Sequence, residues 1–138
     1  MSKKQLHTAG LVVVANKKLL LAFSKNKKAW YLPGGKVHYG ETAQQCLVRE
    51  IKEELNVDIA ANELQFYCHI TAPAFGEAGL IMEQDCYRYN LKETPQPGNE
   101  IGAVDYFDLQ SYQQQPQQVP GVLLVFKYLL QDHLADKA

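Results

Sequence analysis

Residues 42–55, TAQQCLVREIKEEL, constrain this chain more than any other stretch. Thr42 with Gln45 three residues on is a capping-box pattern, which starts a helix. Asn56 follows at the other end, and Asn tolerates the left-handed conformation in which helices commonly stop. Stepping about 100° per residue puts Leu47, Val48, Ile51 and Leu55 on one face. Glu50, Glu53 and Glu54 fall together on an adjacent face, at i, i+3 and i+4. The helix must therefore pack one side into a core while the next side carries three like charges. Repulsion between Glu50 and Glu54 costs roughly 0.2–0.5 kcal/mol, and something outside the helix must justify it.

Around the helix the pattern changes to that of strands. Two apolar runs, 6–15 and 18–24, meet at Asn16-Lys17 and predict a hairpin. Residues 24–30 form a basic loop, and 31–37 read as extended chain broken at Pro33-Gly34-Gly35. Two further strands, 64–75 and 80–91, surround a Gly-Glu-Ala-Gly turn. A loop at 92–100 leads to another short strand at 101–109. The glutamine-rich stretch 110–121 is read as a surface connector. A last helix, about 120–134, carries Leu123, Phe126, Leu130 and Leu134 at helical spacing. There is no internal repeat and no second-domain boundary, so the 138 residues predict one α/β domain with a sheet sandwiched by helices.

A net charge of -1 gives no general attraction for nucleic acid or an anionic membrane. Any phosphate binding must then come from a local arrangement. Cys46, Cys68 and Cys86 are odd in number and lack CxxC spacing, which argues against a disulfide framework or a cysteine-built zinc site. The leading residues contain lysines without a following apolar leader, and the run 11–23 is interrupted by Asn16, Lys17 and Lys18. The expectation is a reduced, cytoplasmic protein with no membrane partner.

From Gly35 onward the helix has a register: Gly35, five residues, Glu41, seven residues, Arg49-Glu50-Ile51-Lys52-Glu53-Glu54, and then Val57. This resembles the signature of the Nudix hydrolases, GX5EX7REUXEEXGU with U an aliphatic residue. The one departure is Asn56, where the family has Gly; Asn is the next best residue for a positive-φ helix end, so the geometry is expected to survive. The resemblance implies a Nudix-type α/β/α sandwich, a mixed β-sheet flanked by helices, over residues 1–138. It implies Mg²⁺-dependent hydrolysis of a nucleoside diphosphate linked to another group, with Mn²⁺ as a substitute. Glu50, Glu53 and Glu54 would then be metal ligands, one of them also serving as base, and Arg49 would orient a box carboxylate. Glu41 would help anchor the loop and the metal site, and counts with Gly34, Gly35 and Lys36 among the substrate-binding residues. Gly34 and Gly35 would let backbone approach the substrate, and Lys36 would contact phosphate.

The residues agree with that assignment on their own terms. Three carboxylates on one helix face are a hard-oxygen set of the kind Mg²⁺ and Mn²⁺ prefer. Alone, REIKEEL fits a solvated charged helix; Gly35, Glu41 and Arg49 in register favour the metal site. A P-loop reading of Pro-Gly-Gly-Lys fails, because no Ser or Thr follows Lys36.

Outside the box, many family members add a metal-binding glutamate before a late strand, and Glu100 occupies such a position. Glu83 competes for that role, with Asp85 on its face by strand alternation. His38 is read as a hydrogen-bonded loop histidine, Trp30 as a core aromatic and Cys46 as packing. Lys25, Lys27 and Lys28 are candidates for steering a polyanion, while Tyr87, Tyr89, Phe75 and His69 are candidate pocket residues. His7 and His133 are read as incidental. The compact length resembles nucleoside-triphosphate members of the family. Pro73 resembles a proline of the ADP-ribose members, so ADP-ribose or a nucleotide sugar is the alternative substrate. A non-catalytic nucleotide-sensing module is a third reading. The partner is thus a small nucleotide and not nucleic acid, and the apolar last helix leaves a homodimer open.

Overall fold

The first apolar run folds as two strands in two different sheets. The computed structural model describes residues 4–138; Met1–Lys3, the start of the stretch read for a leader, lie outside the described residues. Strand β1 (Lys4–Val12) runs antiparallel to β5 (Gly34–Lys36) and parallel to β7 (Leu80–Arg88). Its continuation leaves that sheet at Val13, and β2 (Val14–Ala15) turns back on β3 (Lys18–Ser24). Asn16 and Lys17 take positive φ of 52° and 65°, as a two-residue type I′ hairpin turn requires.

The mixed sheet has the order β5-β1-β7-β6, with β6 (Gln65–Pro73) antiparallel to β7. In the second sheet β3 is central. It pairs with β8 (Ile101–Phe107) along one edge and with β2 and β4 (Ala29–Tyr31) along the other.

Helices cover both sides. On one, Leu47, Ile51 and Leu55 of α1 (Ala43–Leu55) pack on Ala9, Leu11, Val13 and Leu20. On the other, Val122, Val125, Phe126 and Leu129 of α3 (Pro120–Gln131) meet Leu19, Leu21, Ile70 and Cys86. Successive residues of β3 thus enter opposite cores, as period-two alternation dictates for a strand buried on both faces. The result is the α/β/α sandwich expected. Leu47, Ile51 and Leu55 are each 0% exposed, and burial of such side chains is worth about 1.5–3 kcal/mol apiece. That gross gain outweighs the glutamate repulsion by an order of magnitude, so packing holds α1 in place.

Two sequence expectations need correction. The connector contains a short helix, α2 (Leu109–Gln113), started by Asp108 with Ser111 in a capping box. Its Tyr112 is fully buried, donates its hydroxyl hydrogen to Trp30 O at 3.0 Å and accepts from Val119 N at 2.8 Å. One buried aromatic organises a segment whose composition reads as solvent-facing. The last helix ends at Gln131, so Leu134 lies beyond it, and the buried stripe is Val122, Val125, Phe126 and Leu129. No helix among the described residues is long and apolar enough to cross a membrane.

Candidate functional site

The helix that carries the glutamates is fixed at both ends. Thr42 Oγ1 accepts from Gln45 N at 3.1 Å, and Gln45 Oε1 accepts from Thr42 N at 2.9 Å, closing the capping box. Asn56 adopts φ 56° and ψ 39°, the left-handed conformation expected of Gly there, and its N–H bonds to Lys52 O. The free carbonyls of the last turn are met by the 92–100 loop: Gln96 N donates to Leu55 O at 2.8 Å and Gly98 N to Glu54 O at 2.9 Å. A Cβ on Gly98 would lie 2.7 Å from Glu53 O, so only glycine permits that approach. This docking carries Glu100 to the same end of the helix.

Arg49 is the hub on the other side. Its Nε and Nη2 grip the two oxygens of Glu41 at 2.9 Å each, its Nη1 donates to Glu50 Oε1 at 2.7 Å, and Nη2 also reaches Lys36 O at 3.1 Å. The bidentate partner is thus Glu41, and Glu50 is held by one bond. The Arg49 guanidinium, with the His38 backbone N–H at 2.9 Å, draws the Glu41 carboxyl down to about 2. With both oxygens engaged by Arg49 and one also by His38 N, Glu41 braces the loop beside the cleft.

Glu54 is only 9% exposed, and its Oε1 accepts from Gly34 N at 3.0 Å. Burial raises its pKa to about 8; the Gly34 N–H opposes this, and the charges of Glu50, Glu100 and Glu53 add to it. Gly34 has φ 144°, and a Cβ there would meet Ala9 O at 2.0 Å. A Cβ on Gly35 would lie 2.7–2.9 Å from the carboxyl atoms of Glu50. Gly34 therefore lets β5 lie close against β1, and Gly35 lets it press against the carboxylate face. Glu53 lies on that face with its side chain exposed to solvent.

Glu50, Glu54 and Glu100 open into one cleft of about 360 Å³, together with Gly34, Gly35, Lys36, His38 and Lys27. Glu100 accepts from Asn26 Nδ2 at 2.6 Å. The cleft continues past Tyr31, Leu32, Phe75, Met82 and Gln84. Among the described residues no three His, Cys, Asp or Glu side chains already converge as a metal-ligand cluster. The donor set nevertheless fits Mg²⁺ or Mn²⁺. Mg²⁺ keeps several waters and is typically held by one or two carboxylates plus phosphate oxygens, not by a closed protein shell. A buried carboxyl crowded by three others also gains from an added cation.

Glu83 and Asp85 are placed elsewhere. Alternation along β7 turns Met82 and Gln84 to the cleft and sends Glu83 and Asp85 to the opposite face. There His69 bonds Glu83 through Nε2 and Asp85 through Nδ1, both at 2.7 Å, and His7 Nε2 meets Asp85 at 3.1 Å. His69 is therefore outside the cleft, and His7 is a member of this network, not incidental. Trp30 packs between Phe23 and Phe107, with centroids at 5.3 and 4.8 Å. Tyr87 and Tyr89 join the α1-side core, and Phe75 alone of the candidate pocket residues lines the cleft. Lys27 lines it too, while Lys25 lies against Gly102. Gln84 and Tyr31 were not singled out from the sequence. The signal was present for Gln84, a polar residue in phase with buried Cys86 on an alternating strand.

The sequence model of the NUDIX domain matches residues 4–126. A stretch is 36% identical over 64 residues to the 8-oxo-dGTP diphosphatase of Proteus vulgaris, covering 43% of this chain and 57% of that one. Another is 38% identical over 80 residues to a nudix hydrolase of Caenorhabditis elegans, covering 46% of this chain but 21% of that protein. These matches span less than two thirds of the relatives' own lengths. Among solved structures, the MutT NUDIX hydrolase from Burkholderia pseudomallei superposes with a TM-score of 0.71 at 22% identity, over 90% of this chain and 96% of that one. The NUDIX domain of Shewanella oneidensis NrtR, complexed with ADP ribose, gives 0.70 at 18% identity, over 96% and 90%. At that identity the structural likeness speaks for the fold.

Proposed function

Since the chain belongs to the NUDIX domain family, we propose that it is a divalent-metal-dependent pyrophosphohydrolase of nucleotides, cleaving a nucleoside diphosphate linked to a further group. The observation that carries this reading is Glu54, buried, raised to about 8, and sharing a cleft with Glu50, Glu100 and two lysines. Glu50, Glu53, Glu54 and Glu100 are the residues that would hold Mg²⁺ or Mn²⁺. When bound, the ion offsets charge on the phosphates and lowers the pKa of an attacking water. The chain's own groups do the rest. Arg49 fixes Glu50, the Gly34 N–H fixes Glu54, and Lys36 and Lys27 meet the phosphates at the cleft wall.

Nucleoside triphosphates are the favoured substrates, supported by the relative named 8-oxo-dGTP diphosphatase. ADP-ribose or a nucleotide sugar is the second reading, favoured by Pro73, which lines the cleft at the end of β6. A nucleotide sensor would bind the same ligands without turnover. The free cysteines Cys46, Cys68 and Cys86 are all buried, which suits a reducing cytoplasm. A panel of nucleoside triphosphates, ADP-ribose and nucleotide sugars, assayed with Mg²⁺ for phosphate-containing products, tests the proposal. Turnover of at least one is expected; tight binding with no turnover of any would favour the sensor.

Two variants probe the supports. Arg49→Lys keeps the charge but cannot grip Glu41 while also holding Glu50, because an ammonium lacks the planar fork. Its kcat should fall about 10- to 100-fold, the usual cost of losing a residue that orients ligands, and a fall of less than twofold would deny Arg49 that role. Gly35→Ala drives a methyl into the Glu50 carboxyl. Steady-state kinetics should show a loss of at least similar size, and wild-type kcat would mean that Glu50 can leave this position harmlessly.

A further inference from the structure

We propose that Cys68 and Cys86 are a reversible oxidation site, at which a hydroperoxide converts the two thiols to a disulfide joining two strands that wall the cleft. The site stands apart from the carboxylate face and does not depend on the hydrolase reading. Cys68 lies on β6, and Cys86 is directly opposite it on antiparallel β7. Side chains of such a pair share one face of the sheet, and both enter the α3-side core. Directly opposed residues on antiparallel strands have Cα atoms about 4.5–5.5 Å apart. A disulfide spans roughly 4.4–6.8 Å between Cα atoms, so the bond can close with both strands still in the sheet. Cys46 belongs to the α1-side core, across the sheet from both.

Access comes from the sheet edge. β6 is the last strand of its sheet and bonds to β7 on one side only. Its ladder is also interrupted immediately before Cys68, where the register passes over Tyr67. Elements at such edges open locally at less cost than global unfolding, and opening β6 uncovers both sulfurs. Cys68 is 6% exposed against 0% for Cys86, so it is the outer thiol of the pair. It is also the one that ionises first. Contact with Cys86 holds the Cys68 thiol below its usual range, with the neighbouring His69 charge helping and burial opposing. The same contact, reinforced by burial, pushes Cys86 up.

The step balances with the peroxide as oxidant. The Cys68 thiolate attacks one peroxide oxygen, the O–O bond breaks, and a sulfenic acid forms as hydroxide or alkoxide leaves. The Cys86 sulfur then attacks the sulfenic sulfur. The S–S bond forms, and the departing hydroxide takes the Cys86 proton as water. Two electrons pass from the sulfurs to the peroxide, and an external dithiol reverses the change by exchange. The consequence reaches the cleft through Gln84. In the reduced pair the Cys86 thiol donates to Gln84 Oε1 at 3.8 Å. Gln84 lines the cleft, and β6 ends at Pro73, which lines it too. A disulfide has no hydrogen to donate, so oxidation releases the Gln84 carboxamide while pinning β6 to β7.

The test exposes the whole chain, reduced and freed of reductant, to hydrogen peroxide. Free thiols are then alkylated under denaturing conditions and the peptides mapped by mass. The expected product has lost two hydrogens, links the peptides of Cys68 and Cys86, leaves Cys46 open to alkylation, and reverts with dithiothreitol. In ¹⁵N spectra the side-chain amide signals of Gln84 should shift on oxidation and return on reduction. Cys68→Ala should stop both changes, and Cys46→Ala should stop neither. The proposal is overturned if Cys68 goes only to sulfinic acid, if the link runs through Cys46, or if all three thiols still alkylate after peroxide. A Cys68–Cys86 bond that leaves the Gln84 signals in place would overturn its effect on the cleft. Mass mapping of the wild type decides the pairing even if Cys68→Ala does not fold. None of these readouts requires turnover, so failure of the hydrolase reading would leave the oxidation site standing.

Discussion

Glu53→Gln is expected to lower kcat on the order of 10²- to 10⁴-fold, a range typical for losing a positioned acid or base, while leaving the fold intact. The two halves of that statement have separate grounds. Glu53 is exposed, and among the described residues its carboxylate makes no hydrogen bond or ion pair, so neither packing nor capping needs its charge. Gln keeps the shape and removes only the charge. Removing one of three like charges should leave the metal-free protein as stable as before or better by a few tenths of a kcal/mol. Loss of activity with an unchanged melting temperature would locate the effect in the chemistry. Near-normal turnover would remove Glu53 from the metal site, and a collapsed fold would mean that its role is structural.

The second large effect concerns Glu54 and reverses the usual sign for a carboxylate. Its ordinary value is 4.5, and in the folded protein burial raises it to about 8. The folded state thus binds this proton more tightly than the unfolded state does. Its contribution to stability is complete below pH 4.5 and is lost as pH rises toward 8. Gln at this position is neutral at every pH and can still accept from Gly34 N–H through its Oε1. Glu54→Gln should therefore match the wild type at or below pH 4.5 and exceed it above pH 8, by up to about 5 kcal/mol in the metal-free protein. Denaturant titrations in a chelator at the two ends of that window measure the difference. The same variant should lose metal-dependent activity, so the group that weakens the empty fold is one the reaction needs. A stability gain that is the same at all pH would show that burial of charge is not the cause.

Much of the site was legible because its determinants are local. The capping box at Thr42 and Gln45, the left-handed Asn56 and the shared face of the three glutamates all follow from spacing within one helix. Glu100 was legible only as a position in a loop; its delivery to the cleft depends on Gly98 touching Glu53 O, a contact between distant segments. The split of the first strand was not legible, since it depends on β1 pairing in parallel with β7, far along the chain. Composition concealed α2, because glutamines surround the one tyrosine that buries. The roles of His7 and His69 were hidden for a similar reason: β7 brings Asp85 between them only after the sheet forms. Glu83 and Glu100 compete in sequence, and the fold separates them: Glu100 reaches the cleft from the loop before β8, while Glu83 stands on the face of β7 turned away from it.

The proposed function requires a divalent cation to bind at the carboxylate face of α1. Paramagnetic broadening of the ¹⁵N-labelled protein by substoichiometric Mn²⁺ tests this most directly. Signals of Glu50, Glu53, Glu54 and Glu100 and of the adjoining Gly34-Gly35 backbone should vanish first, and Glu53→Gln should require more Mn²⁺ to produce the same loss. Broadening centred on His69, Glu83 and Asp85 with the α1 face untouched would contradict the account.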